Sequence, residues 1–416
     1  MAPLPLLRLR GLGVMALVLG PVLQPVAQAQ VTATSLPTPP PPALTVLQEQ
    51  VSCPLLQQRL QTVVGAESSV WSISVVDGQG RLLADINGTR ARIPASNQKL
   101  ISTAIALDRL GPGSTLTTRL WRQPDGSLRL TGEGDPDLDL AQVRRFAELA
   151  MAAGPTPRIE LAEEPQQRWW PAGWHWADRA EAYGAPITRL ALTSNALDMA
   201  VSNPPGRLRT LLSQEIRRRG GSAVITLVPA NQVDSEGGVL LHEERSVGMN
   251  GLLSLANSDS HNFTAEVLLR QGTGSWDLAQ ARQQAMQWLR SQGLPMAGVQ
   301  VVDGSGLDRG NRVTSRLLAS LLLRMAQHPY ASDYLASMAV SGQRGTLRNL
   351  YRGSELEGQF RGKTGTISGV RAISGVLSTA EGPRYISMVS NGAAAPNGTI
   401  GSILRQSRVP GLCPAP

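Results

Sequence analysis

The stretch VWSISVVDGQGRLLADING alternates apolar and polar side chains on either side of DGQG. A period of two, broken by a glycine-rich turn, predicts a β-hairpin over about residues 70–87. The period then changes. In ARIPASNQKLISTAIALDRLGPG, Leu100, Ile101, Ala104, Ile105 and Leu107 mark one helical face, which Pro94 introduces and Gly111-Pro112-Gly113 ends. Ser96 and Lys99, three residues apart, therefore share one face of the first turn of a buried helix. A further helix is predicted near residues 139–153, and helical periods return in GMNGLLSLANSDSHNFTAEVLLRQG and WDLAQARQQAMQWLRSQG. VTSRLLASLLLRMAQH gives another helix, with Thr314 as its N-cap. FRGKTGTISGVRAISGVLSTAEGPRYISMVSNG alternates like two or three antiparallel strands.

A hairpin and a buried helix at the front, helices between, and strands at the back imply one mixed sheet whose edge elements come from opposite ends of the chain, an arrangement that brings both lysines together. The fold class is α+β. Between residues 116 and 239 short β-like pieces and turn-rich connections replace the long periods, which reads as an inserted, β-rich block of one or two small domains. The main domain is then split into 44–115 and 240–416. Ahead of it, Arg8 and Arg10, the apolar run GLGVMALVLG and the AQA at 27–29 read as a secretory signal over residues 1–29, followed by a proline-rich linker over 30–43. No other segment approaches 18 uninterrupted apolar residues, so the expectation is an exported, periplasmic or envelope protein.

Charge changes this picture little. The formal charge of +8 falls to +6 without Arg8 and Arg10, and the arginines are scattered with no basic run interleaved with aromatics. Nucleic-acid binding needs a clustered footprint and is not expected. The spread excess suits contact with an anionic envelope polymer, and equally the solvated surface of an arginine-rich chain. Cys53 and Cys413 stand near the two ends of the chain. In an exported protein such a pair is readily oxidised, so a disulfide is expected over two free thiols. The four histidines lack metal-ligand spacing, and no metal or cofactor is expected.

One compositional feature carries chemistry. Of the 39 basic side chains only Lys99 and Lys363 are lysines. Arginine stays protonated, whereas a desolvated lysine amine gives up its proton readily. Lys99 lies in Ser96-Asn97-Gln98-Lys99 and Lys363 in Lys363-Thr364-Gly365, with Ser260-His261-Asn262 between them in order. S-x-x-K, an S-x-N variant of S-D-N, and K-T-G form the signature of the active-site-serine penicillin-binding proteins and β-lactamases. Each triplet alone is weak. Their joint order, their contexts, and the placement of both lysines within them make the signal strong.

The residue types then assign roles. Lys99, if neutral, can take the Ser96 proton, and Lys363 nearby would depress the pKa of Lys99 by repulsion. Ser260 can relay a proton to the leaving amine, and Asn262 can hold Lys99 and the substrate amide. Backbone N–H groups of Ser96 and Thr366 can stabilise an oxyanion. Thr364, Thr366 and Lys363 suit a substrate carboxylate, and Gly365 permits close approach of a substrate backbone. His261 receives no role.

With these motifs and the segments GEGDPDL, GWHWADRAEAYGAP, DGSGLDRGNRV and VSGQRGTL, the chain resembles the class C low-molecular-mass penicillin-binding proteins, the D-alanyl-D-alanine carboxypeptidase/endopeptidases. The likeness runs from about residue 50 to 405, and the central insertion fits it, though the block looks short for the family. The resemblance implies an antiparallel sheet flanked by helices and an acyl-enzyme on Ser96. It implies peptidoglycan stem peptides ending in D-Ala-D-Ala, and D-Ala crosslinks, as substrates. It also implies β-lactams as covalent inhibitors. Asp135 in GDPDL either meets the free amine of a diamino acid or opens the turn before Pro136. RWWPAGWHW is expected to pack its rings rather than present a carbohydrate platform. Asp303 and Ser305 are expected to shape a turn behind the site. A serine β-lactamase is the alternative, but no E-x-x-L-N segment supplies a deacylating glutamate. A non-catalytic envelope scaffold is the other, and the full set of candidate residues argues against it.

Overall fold

The computed structural model describes residues 47–230 and 237–413. The signal and linker segments lie outside the described residues. Helix α1 (Pro54–Val64) leads into strands β1 (Trp71–Asp77) and β2 (Leu82–Ile86), the hairpin that the alternation predicts. Its turn is closed by the Asp77 carboxylate, which accepts from Gln79 N (3.0 Å) and Arg81 N (2.9 Å). Helix α2 (Lys99–Leu110) follows. The chain then enters a second sheet built from β3 (Thr117–Arg122), β4 (Leu128–Gly132), β5 (Arg158–Glu163), β6 (Val224–Pro229) and β7 (Val239–Arg245), in the order β6-β5-β4-β3-β7.

Helices α3 (Leu140–Ala152) and α4 (Pro204–Arg218) cover that sheet, and Val143, Phe146, Leu208, Leu212 and Ile216 close its core against Leu128, Leu130 and Leu161. Helix α3 starts on a capping box between Asp139 and Gln142. Helix α4 is absent from the reading of the sequence, which takes its stretch for turns. The boundary placed at residue 239 falls on the first residue of β7, which pairs with β3 and carries the second sheet on to Arg245.

The chain returns through α5 (Met249–Asn257), α6 (Asn262–Thr273), α7 (Leu278–Ser291), α8 (Ser315–Ala326) and α9 (Ala331–Ala336). Thr314 caps α8 as expected, its Oγ1 accepting from Leu317 N at 3.1 Å. Strands β8 (Ala339–Val340), β9 (Phe360–Ile367), β10 (Val370–Thr379) and β11 (Gly382–Asn391) and helix α10 (Pro396–Gln406) complete the fold. The first sheet runs β2-β1-β11-β10-β9-β8 and is antiparallel at every pairing, not mixed. Strands from the two ends of the chain meet at its centre, β1 against β11.

This sheet is buried on both faces. Ile73, Val75, Ile386, Met388 and Ile373 point toward α1 and α10, whereas Val76, Tyr385, Val389 and Ala372 point into the helical layer of α2, α5, α6, α7 and α8. Cys53 and Cys413 form a disulfide beside the first of these cores. Helix α6 lies hard against α2, because a Cβ on Gly272 would come within 2.7 Å of Ala106 Cα. The two helices therefore approach to backbone contact, and this fixes where Lys99 meets Asn262.

Candidate active site

Ser96 lies in a single 3-10 turn, Ala95–Gln98, that feeds into α2 at Lys99, rather than in the first turn of the α-helix itself. Ala95 ahead of it sits at φ +47°, a left-handed conformation that costs a non-glycine residue energy and persists only where surroundings enforce it. Two contacts enforce it. A Cβ on Gly306 would fall 1.8 Å from Ala95 O, so only glycine lets the 303–306 turn press on this carbonyl. On the other side Asn97 is bonded to Ser374 Oγ on β10 at 2.8 Å. Gly365 is equally constrained, since its Cβ would stand 2.7 Å from Pro94 O. The close approach that Gly365 permits is thus to the chain's own Ser96 turn.

The three motifs converge. Lys99 Nζ lies 2.9 Å from Ser96 Oγ, 2.6 Å from Asn262 Oδ1 and 2.8 Å from Ser305 O. Lys363 Nζ donates to Ser260 Oγ (2.8 Å) and to Thr364 O (2.7 Å). Thr364 Oγ1 donates to Thr346 Oγ1 at 2.8 Å, and Arg371 on β10 donates to Thr366 Oγ1. Ser260, like Ala95, has a left-handed backbone (φ +65°) between α5 and α6, and Asn262 is the first residue of α6, where the motif is expected to open a helix.

Both lysines are fully buried. Burial lowers Lys99 to about 7, against the opposing pull of Asp303 and Glu266. Burial also pushes Lys363 well below the usual lysine range, with the charge of Lys99 adding to the fall. Burial is the largest cause at both lysines, and the repulsion expected between the two amines acts beside it. His261 is held neutral, lowered to about 4 by burial and by Lys99, with Nδ1 2.7 Å from Thr264 Oγ1.

A cleft of about 520 Å³ opens over Ser96, Ser260, Asn262 and Thr366. Asp178, Tyr183 and Arg309 line it as well, and the sequence alone singled out none of the three. Tyr183 O accepts from Asn262 Nδ2 at 2.9 Å, and its hydroxyl donates to Asp178 Oδ1 at 2.8 Å. The signal available was their position inside GWHWADRAEAYGAP and DGSGLDRGNRV, but nothing in those strings says which side chain faces the cleft.

Asp135 is not among the lining residues. It is buried, its Oδ1 accepts from Asp137 N at 2.9 Å, and burial raises it to about 6, as befits the turn-forming alternative. Of the clustered tryptophans, Trp169 and Trp174 are 6% and 2% exposed, whereas Trp176 is 77% exposed, so most of the group packs and one ring does not. A larger cavity of about 600 Å³ beside Glu163, Trp169 and Leu227 is lined by none of the motif residues. Among the described residues no group of three His, Cys, Asp or Glu side chains is arranged to hold a metal ion.

Residues 54–206 and 193–403 match the D-Ala-D-Ala carboxypeptidase 3 (S13) family. The chain belongs to that family. This S13 peptidase is 27% identical to a D-alanyl-D-alanine carboxypeptidase of Actinomadura sp. (strain R39), with 79% of each chain covered. It is 25% identical to carboxypeptidase DacB of Mycolicibacterium smegmatis over 88% of each. Its fold matches the crystal structure of penicillin binding protein 4 (dacB) from Haemophilus influenzae, with a TM-score of 0.72 at 18% identity, covering 84% of this chain and 98% of that one. The S13 peptidase is thus a serine-type D-Ala-D-Ala carboxypeptidase of the penicillin-binding-protein group, on an α+β fold.

Proposed function

We propose that this peptidase trims and cleaves peptidoglycan stem peptides ending in D-Ala-D-Ala, and D-Ala crosslinks, through an acyl-enzyme on Ser96. The observation that carries the reading is the Lys99 amine 2.9 Å from Ser96 Oγ with its pKa lowered to about 7. A hydroxyl becomes a nucleophile when a neighbouring base takes its proton, and an amine titrating near neutrality is such a base. Ser96 Oγ attacks the carbonyl of the penultimate D-Ala as its proton passes to Lys99. The C–N bond to the terminal residue then breaks, and the leaving amine collects a proton through Ser260, held by Lys363. Water later hydrolyses the ester.

Asn262 holds the base, and the N–H groups of Ser96 and Thr366 stabilise the oxyanion. Thr364 and Thr366 receive the substrate carboxylate, with the Lys363 amine behind them. β-Lactams acylate the same hydroxyl. Residues 1–29 export the chain, residues 30–43 link it to the peptidase domain, and the insertion that begins near residue 116, whose sheet runs on to Arg245, is accessory to that domain. Among the described residues no helix is long and apolar enough to cross a membrane.

The test is mass spectrometry after incubation with benzylpenicillin and, separately, with a pentapeptide ending in D-Ala-D-Ala. The expected result is a penicilloyl adduct on the peptide carrying Ser96, and D-Ala release by the wild type but not by Ser96→Ala. An adduct on another peptide, or equal D-Ala release by the variant, overturns the proposal.

A further inference from the structure

Lys99 Nζ has three neighbours, and they differ in kind. A neutral amine carries two N–H groups and one lone pair. Asn262 Oδ1 and Ser305 O have no proton and can only accept, whereas Ser96 Oγ can donate. When the two acceptors take both N–H groups, the lone pair is left facing the Ser96 hydroxyl. Without the Ser305 carbonyl the amine can rotate and spend an N–H on Ser96, which is unproductive. What holds that carbonyl in place therefore matters to the chemistry.

The holder is a side chain outside the three motifs. Glu266 Oε1 accepts from both Gly304 N (2.9 Å) and Ser305 N (2.8 Å). The loop can come this close because residue 304 is glycine: a Cβ there would lie 2.7 Å from Ala265 O. Ser102 Oγ on α2 donates to Gly304 O at 2.7 Å, gripping the turn from the other side. Asp303 braces it from within, accepting from Gly306 N (2.7 Å), Asp308 N (2.7 Å) and Trp174 Nε1 (2.9 Å). Glu266 is fully buried, and its second oxygen accepts from the buried Arg270 at 2.7 Å. It lies four residues after Asn262, one turn along the same helix.

We propose that Glu266 is a positioning residue for the reaction: by gripping the 303–306 turn it keeps the Ser305 carbonyl on Lys99 and so aims the amine's lone pair at Ser96. One helix then supplies both acceptors of the base, Asn262 directly and Ser305 through Glu266. The proposal rests on Lys99 being the base. The charged and titratable groups around that amine are Glu266 and Asp303, which favour its protonated form, and Lys363 and His261.

The experiment is the rate of benzylpenicillin acylation across pH for the wild type, Glu266→Ala and Glu266→Gln, on protein shown to be folded. Glutamine keeps an oxygen for the two N–H groups but gives up the charge. Alanine gives up both. Glu266→Ala is expected to acylate on the order of a hundredfold more slowly on the alkaline plateau, the effect of a misplaced reacting group. Glu266→Gln is expected to keep most of the plateau rate, with its acid limb moved to lower pH because a charge favouring the ammonium is gone. A purely structural ion pair with Arg270 predicts equal damage from both variants. Loss of plateau rate in Glu266→Gln, an unmoved limb, or full activity in Glu266→Ala each overturns the proposal. Should the alanine variant fail to fold, the glutamine profile decides alone. If wild type is not acylated at Ser96, the catalytic reading has failed rather than this one.

Discussion

At Lys99 the choice of amine over guanidinium, its burial and its partners act on one quantity, the fraction of neutral base. With a pKa of about 7 that fraction is small in acid and near complete in mild alkali. Below pH 7 the amine gains a proton and stops serving as a base, so acylation is expected to fall about tenfold per pH unit there and to level off above it. Stopped-flow acylation with benzylpenicillin between pH 5 and 9 checks this. Lys99→Arg keeps a cation in the pocket at every pH. It is expected to lose roughly a hundredfold or more at all pH values, without the acid limb. A wild-type profile flat through pH 7 would remove the neutral-amine argument. The rarity of lysine made both amines legible in the sequence. That burial lowers both of them was not, because it depends on what surrounds each.

Among the elements, the contact of α2 with α6 decides whether Lys99 and Asn262 meet. Gly272→Ala places a methyl 2.7 Å from Ala106 Cα and 2.9 Å from Ala106 N, both backbone atoms that cannot swing aside. The variant is expected to lose about 1–3 kcal/mol of stability by overpacking, read from urea unfolding. Its acylation should slow in parallel as the helices separate. Unchanged stability and rate would mean that the helices do not set the site. The β1–β2 hairpin, α3 and α8 follow their hydrophobic periods and caps closely. Helix α4 is hard to see in the sequence because Pro204 and Pro205 resemble a turn, although proline is well accommodated in a first helical turn, and Asn203 caps it by accepting from Gly206 N at 3.0 Å. Its apolar positions, Leu208, Leu212 and Ile216, form one narrow stripe among arginines and polar residues. At Ser260-His261-Asn262 the motif reads as the opening of the helix NFTAEVLL, and α6 does begin at Asn262; the left-handed backbone of Ser260 ahead of it is what the pattern does not encode.

Across the whole molecule, the two ends of the described chain are tied by Cys53–Cys413, 360 residues apart, with Cys53 in the core between the sheet and α1. Closing so long a loop restricts the unfolded chain, so Cys53→Ala is expected to cost about 2–5 kcal/mol in denaturant unfolding. Penicillin acylation at room temperature should persist, because α1 packs on the face of the sheet away from α2. Unfolding that is insensitive to the substitution would show that the paired strands β1 and β11 close the chain unaided.

The amino-acid sequence by itself determined the local elements with strong periods, the order of three motifs, and the reservation of both lysines for two of them. Those are properties of neighbouring residues, and neighbouring residues carry them. The tertiary structure alone decided the partners. Lys99 reaches Asn262 and Ser305 across 163 and 206 positions, and Lys363 reaches Ser260 across 103. No local period records contacts of that span. They exist because a buried antiparallel sheet draws in both ends of the chain and because glycines at 272, 304, 306 and 365 let backbones touch where any side chain would hold them apart.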